Sequence, residues 1–179
     1  MKTFAFALLV ALPAAPALAA ETLTATFTTP DGGQTIGLYS GLVNITVSGT
    51  GFSNADLIND AFYYTPSGSS VGDFYQLTFG TTTLVAFNPA QNAVNYIVGG
   101  RPAFQSSGVY SFQLDTGTAT PSILHFGVGD GRFDDNGGAY TITVSQVGVP
   151  EPATWAMMIG GFGFAGGAVR RRGRTLAAA

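Results

Sequence analysis

The sequence predicts an all-β protein: a single β-sandwich of jelly-roll type, flanked by a signal-peptide helix and a C-terminal transmembrane helix. Three observations carry this reading. Between residues 20 and 148, short runs rich in Val, Ile, Thr and aromatic residues recur at roughly ten-residue spacing, divided by Gly, Pro, Asn and Ser. Several of those runs alternate apolar and polar residues, as half-buried strands do. Both ends carry uncharged apolar stretches, residues 4–12 and 153–169.

The amino terminus comes first. Lys2 precedes the apolar stretch, and Ala17-Leu18-Ala19 follows it. This is the order of a secretory signal peptide with small residues at the minus-three and minus-one positions. Cleavage is expected after Ala19, so that Ala17 and Ala19 are the recognition residues and residues 1–19 are removed.

The sandwich domain is expected over residues 20–148. In residues 22–28, Leu23, Ala25 and Phe27 fall on one face. In residues 42–48, Val43, Ile45 and Val47 do, with Asn44 and Thr46 opposite. Further strands are expected at 61–64, 74–79, 83–87, 94–98, 109–114, 123–128 and 139–145, with one helical turn at 54–60. Nine such strands fit a two-sheet sandwich. No tandem repeat and no long linker divides the domain.

Charge and cysteine content narrow the function classes. The whole chain has seven basic and ten acidic residues. Lys2 belongs to the signal peptide, and Arg170, Arg171, Arg172, Arg174 and Glu151 to the tail. Residues 20–148 therefore keep two basic residues, Arg101 and Arg132, against nine acids, a net −7. Such a domain is a poor partner for nucleic acid or an anionic surface. Cysteine is absent, so stability rests on packing rather than disulfides.

One loop could carry chemistry. Asp130-Gly131-Arg132-Phe133-Asp134-Asp135-Asn136-Gly137-Gly138 lies between two expected strands. Hard oxygen donors on a glycine-rich loop suit Ca²⁺, and Asp130, Asp134, Asp135 and Asn136 are the candidate ligands. Close carboxylates also need a counter-charge. The order is not that of an EF-hand. A tight turn wants the same residue types for positive φ and Asx hydrogen bonds, so a purely structural loop stays open. The segment and the strand after it, Ala139-Tyr140-Thr141-Ile142-Thr143-Val144, resemble the end of bacterial galactose-binding-like jelly-roll domains. Phe133 stands where those have Tyr, and Gly137 where Ser is common. In some of them this loop holds a Ca²⁺ that touches sugar hydroxyls. The resemblance implies a Ca-dependent carbohydrate-binding module as the alternative function. Tyr39, Tyr63, Tyr64 and Tyr75, expected to be exposed, are candidates to stack on sugar rings.

An enzyme is not expected. His125 is the sole histidine and sits in an apolar run, which excludes a multi-histidine metal centre. There is no G-x-S-x-G elbow. A polysaccharide hydrolase needs only two carboxylates, for which Asp73 with Asp130 is the weaker alternative.

The tail is the most specific part. Residues 153–169 run 17 positions without a charge, the short end of a membrane span. Trp155 opens the run, and Arg170, Arg171 and Arg172 close it within a basic cluster at 170–174. Interfacial Trp and a cytoplasmic basic end are what an anchored helix carries. Pro150-Glu151-Pro152, Trp155-Ala156 and the Arg cluster together resemble the PEP-CTERM sorting signal, over residues 149–174. The resemblance implies an inner-membrane-anchored precursor, cut near Pro150-Glu151-Pro152 by a membrane protease of exosortase type. It also implies release to the cell surface or to an extracellular exopolysaccharide matrix. Those residues would then be recognition elements of a substrate.

Overall fold

The computed structural model describes residues 19–53, 57–71, 76–147 and 159–161. The chain divides into two compact units, Leu18–Val147 and the two termini together. Of the terminal unit only residues 159–161 are described, and they are helical. The signal peptide, apart from Ala19, lies outside the described residues. So do the predicted membrane span and the sorting signal, apart from those three residues. Among the described residues no helix is long and apolar enough to cross a membrane.

Among the described residues nine strands build two sheets. They are β1 (Glu21–Thr26), β2 (Gly33–Gln34), β3 (Leu42–Ser48), β4 (Gly51–Ser53), β5 (Leu57–Asn59), β6 (Leu77–Gly80), β7 (Tyr110–Asp115), β8 (His125–Val128) and β9 (Gly137–Gln146). In the large sheet β9 is central. One edge pairs with β1, Thr22 opposite Thr143; the other pairs with β3, Thr46 opposite Thr143. β3 pairs onward with β7, and β4 with β5. The small sheet runs β2-β8-β6.

The jelly-roll expectation holds in the connectivity. β1 pairs with β9, β2 with β8 and β3 with β7, all antiparallel. The chain is thus one long ribbon folded back on itself. Rolling the ribbon adds the pairs β3–β9 and β6–β8, and, apart from β3 to β5, which share the large sheet, successive strands alternate between sheets. β4 continues β3 along β9 without a slip: Ser48 faces Thr141 and Gly51 faces Gly138. The bend between them needs Gly49 and Gly138, whose φ values are +112° and +103°.

The core lies between the sheets, where the period-two pattern placed it. Ala25, Val43, Ile45, Val47, Leu114, Tyr140, Ile142 and Val144 of the large sheet are buried. Leu77, Phe79, Phe126 and Val128 of the small sheet meet them. Aromatic rings fill the remaining space edge to face. Phe27 meets Tyr140 at 4.6 Å between centroids and Phe62 meets Tyr110 at 5.1 Å, each pair adding about 0.5–1.5 kcal/mol beyond burial.

Several expected elements differ. Residues 83–87 and 94–98 are not strands. Phe87 has φ +55°, outside the extended region. Two 3-10 turns, Pro89–Gln91 and Ala93–Asn95, then occupy the place of a fourth ribbon pair, capped by the side chains of Asn88 and Asn92. Isolated bridges, Thr78 to Asn92 and Ile97 to Leu114, mark the lost pairing. The expected helical turn at 54–60 is strand over Leu57–Asn59, because Ile58 pairs with Phe52 of β4. Residues 61–64 form a buried turn rather than a strand. Asp60 accepts hydrogen bonds from the amides of Phe62 at 2.8 Å and Tyr63 at 2.7 Å, an Asx turn that competes with extension.

Candidate functional site

The acidic loop joins β8 to β9 and is built around two buried side chains, Asp130 and Asn136. Asp130 Oδ1 accepts from the amides of Gly131 at 2.6 Å and Arg132 at 3.2 Å. Its Oδ2 accepts from Asn136 Nδ2 at 2.6 Å. The same Asn136 amide donates to the carbonyls of Arg132 at 3.0 Å and Phe27 at 3.3 Å. Three acceptors around Nδ2 fix which way the amide points. They also tie the loop to the residue that follows β1. Asn136 Oδ1 is left buried with no hydrogen-bond partner.

The other two carboxylates turn elsewhere. Arg132 Nε donates to Asp134 Oδ1 at 2.7 Å and lies 3.7 Å from Asp135 Oδ2. The hydrogen bond from Arg132 holds the Asp134 carboxyl below its usual range, and the same bond raises the guanidinium. The loop therefore brings Asp130 and Asn136 together and sets Asp134 and Asp135 against Arg132. Among the described residues no group of three or more His, Cys, Asp or Glu side chains could hold a metal ion. The counter-charge expected from the sequence is supplied by Arg132, within the loop itself.

Of the sugar-stacking candidates, Tyr39 and Tyr63 are buried, which corrects the expectation that they are exposed. Tyr39 packs in the core, and Tyr63 donates to the Pro102 carbonyl at 2.7 Å. Tyr64 is half-buried. Tyr75 and Asp73 lie outside the described residues. The ring that does lie beside the loop is Phe87, which the sequence did not single out. It is 57% exposed and covers Gly131, where any side chain would run into it. Nothing in the local sequence marks a non-glycine residue for positive φ, so no signal could have found it.

His125 sits on β8 and is nearly buried. Its Nδ1 lies 2.8 Å from Asp31 Oδ2, a core-edge pairing across the small sheet. Asp60 is the other buried acid. Beyond its two amides it accepts from the Tyr110 hydroxyl at 2.7 Å, and its carbonyl accepts from Tyr140. Burial, then the hydrogen bond to Asp60, raises the Tyr110 phenol above its ordinary value; burial raises that of Tyr140.

The last strand has a consequence for the tail. Gln146 Nε2 donates to the carbonyls of Ser40 and Leu42, both at 2.8 Å, and the Val147 amide to Leu42 at 3.2 Å. The domain is hydrogen-bonded to its final residue.

Comparison with known proteins places a family match there. The description "PEP-CTERM protein-sorting motif" matches residues 148–172, beginning at the residue after Val147. No curated protein and no solved structure matches the chain. The tail carrying Pro150, Glu151, Pro152, Trp155, Ala156, Arg170, Arg171 and Arg172 is thus identified, and the chain is a β-sandwich protein that bears a PEP-CTERM sorting motif at residues 148–172.

Proposed function

We propose that this is a non-enzymatic protein carried by its tail to the cell envelope or the extracellular polysaccharide matrix. The sorting motif at residues 148–172 carries the reading: it implies export and processing by a membrane protease of exosortase type. The junction is direct, since β9 ends at Gln146 and the motif begins at residue 148. On the side of a non-catalytic domain, the sole histidine is engaged with Asp31 and the Asp130 carboxylate with backbone amides. The test is the intact mass of the surface or released form. Loss of residues 1–19 and of the arginine cluster is expected. Replacing Pro150, Glu151 and Pro152 by Ala should leave the tail attached. A surface form that retains Arg170 to Arg174 would overturn the route.

A second reading is favoured by a specific observation. Asn136 offers a buried oxygen without a partner, and the exposed Phe87 ring covers Gly131 next to Asp130. An aromatic face beside fixed polar groups is what a sugar ring requires. In a Ca-dependent carbohydrate-binding module, Asp130 and Asn136 would supply the inner oxygens. Asp134 and Asp135 would leave Arg132 to complete the set.

A further inference from the structure

The domain has two poles along β9, whose ten residues span about 34 Å. The pole where β9 ends is crossed by residues 36–42. Glu21, opposite Val144, accepts from the amides of Ile36 and Gly37 and from the Tyr39 hydroxyl. Ser40 and Leu42 are bonded to Gln146. This segment is held firmly, yet it presents its aliphatic side chains to solvent: Ile36 is 92% exposed, Leu38 50% and Leu42 40%. Tyr39, which lies between Leu38 and Leu42, is the large side chain of this segment that enters the core.

The chain supplies a surface for them. Between Val147 and the charge-free run that starts at Ala153 lie only residues 148–152. Fully extended, they reach at most about 18 Å. An anchored precursor therefore keeps this pole within that distance of the bilayer, at an effective concentration on the order of millimolar for so short a tether. Weak apolar insertion suffices under those conditions. The chemistry also selects the kind of surface. The domain's two basic residues are Arg101 and Arg132, and Arg132 belongs to the loop before β9, at the other pole. With two basic residues against nine acids the domain has no net attraction to anionic headgroups, so contact would come from Ile36 and Leu38 entering the headgroup–acyl boundary.

We propose that residues 36–42 form an apolar foot on which the anchored precursor rests against the membrane surface, presenting the 148–152 junction to a membrane-embedded protease. The proposal rests on the anchored-precursor reading given above. The absence of cysteine makes the test clean. The full chain is reconstituted into phosphatidylcholine vesicles containing a nitroxide-bearing lipid, with an environment-sensitive fluorophore on Leu38→Cys or, at the far pole, on Phe52→Cys. Several-fold stronger quenching at position 38 is expected, falling to the level of position 52 when Ile36→Asp is added. Flotation of the same vesicles reports anchoring. If the chain does not float, the anchored-precursor reading falls and this one with it. If it floats and positions 38 and 52 are quenched alike, or if Ile36→Asp changes nothing, the foot alone is refuted.

Discussion

Tyr110→Phe removes one oxygen from a buried contact and changes little else. The hydroxyl donates to Asp60 Oδ2 at 2.7 Å and accepts from the Gln105 amide at 3.4 Å. Asp60 is fully buried and Tyr110 nearly so. Among the described residues no other donor reaches Asp60 Oδ2, whereas Oδ1 keeps the Phe62 and Tyr63 amides. The variant thus strands half a carboxylate away from water. A hydrogen bond to a charged group is worth about 1.5–3 kcal/mol, and the ring stays to fill its space. Urea unfolding at pH 7, followed by far-UV circular dichroism, should show that loss with an unchanged slope. The midpoint of thermal unfolding should drop by roughly 5–10 °C for a domain of this size. Tyr96→Phe is the comparison. Its hydroxyl donates to the Ala90 carbonyl at 3.2 Å in an exposed setting, so the loss should stay under about 1 kcal/mol. Asp60→Asn completes a double-mutant cycle, with coupling to Tyr110 above about 1 kcal/mol expected. A Tyr110→Phe loss below about 0.5 kcal/mol, or no coupling, would refute the idea that this contact anchors the 60–64 turn.

Two further predictions follow from the same structure. Tyr39, Tyr110 and Tyr140 all have phenols raised above 10.0, burial being the first cause in each. The folded state then keeps protons that the unfolded state releases, so the stability these phenols contribute should be flat below pH 10 and fall as pH rises past it; Tyr110→Phe should blunt the fall. For the carbohydrate-binding reading, calorimetry with Ca²⁺ and melting with and without EDTA decide the metal. Binding lost in Asn136→Ala supports the site, whereas no heat and no EDTA effect reject it.

The strands that the sequence made legible are those with one face in the core. In β3, alternation alone placed Val43, Ile45 and Val47 inward, and all three are buried. β1, β7 and β9 follow the same logic, whereas β8 is buried throughout and shows as a short apolar run. β2, β4 and β5 escaped because two or three residues cannot show a period, and their extension is imposed by neighbours such as Phe126 opposite Gly33. Residues 83–98 misled because their β-branched and aromatic content suits a strand, while Asn88, Pro89 and Asn92 close turns instead. In the acidic loop, composition located the right segment. It could not say that Arg132 neutralises Asp134 and Asp135, since a basic residue two or three positions away can point anywhere until the loop folds.

The sequence by itself determined the all-β class, the inward residues of the long strands and the sorting tail. Each is written in local order: a period of two, or a run of motif, apolar stretch and arginines read by a protease and a bilayer as linear chain. Only the tertiary structure decided the rolling of the ribbon, the turning of Asp130 onto its own amides, the Phe87 ring over Gly131 and the exposed aliphatic segment at the end of β9. These join residues as distant as Phe27 and Asn136 or Glu21 and Ile36. Such contacts form because two sheets must close over one core, and no local pattern encodes where the closure brings them.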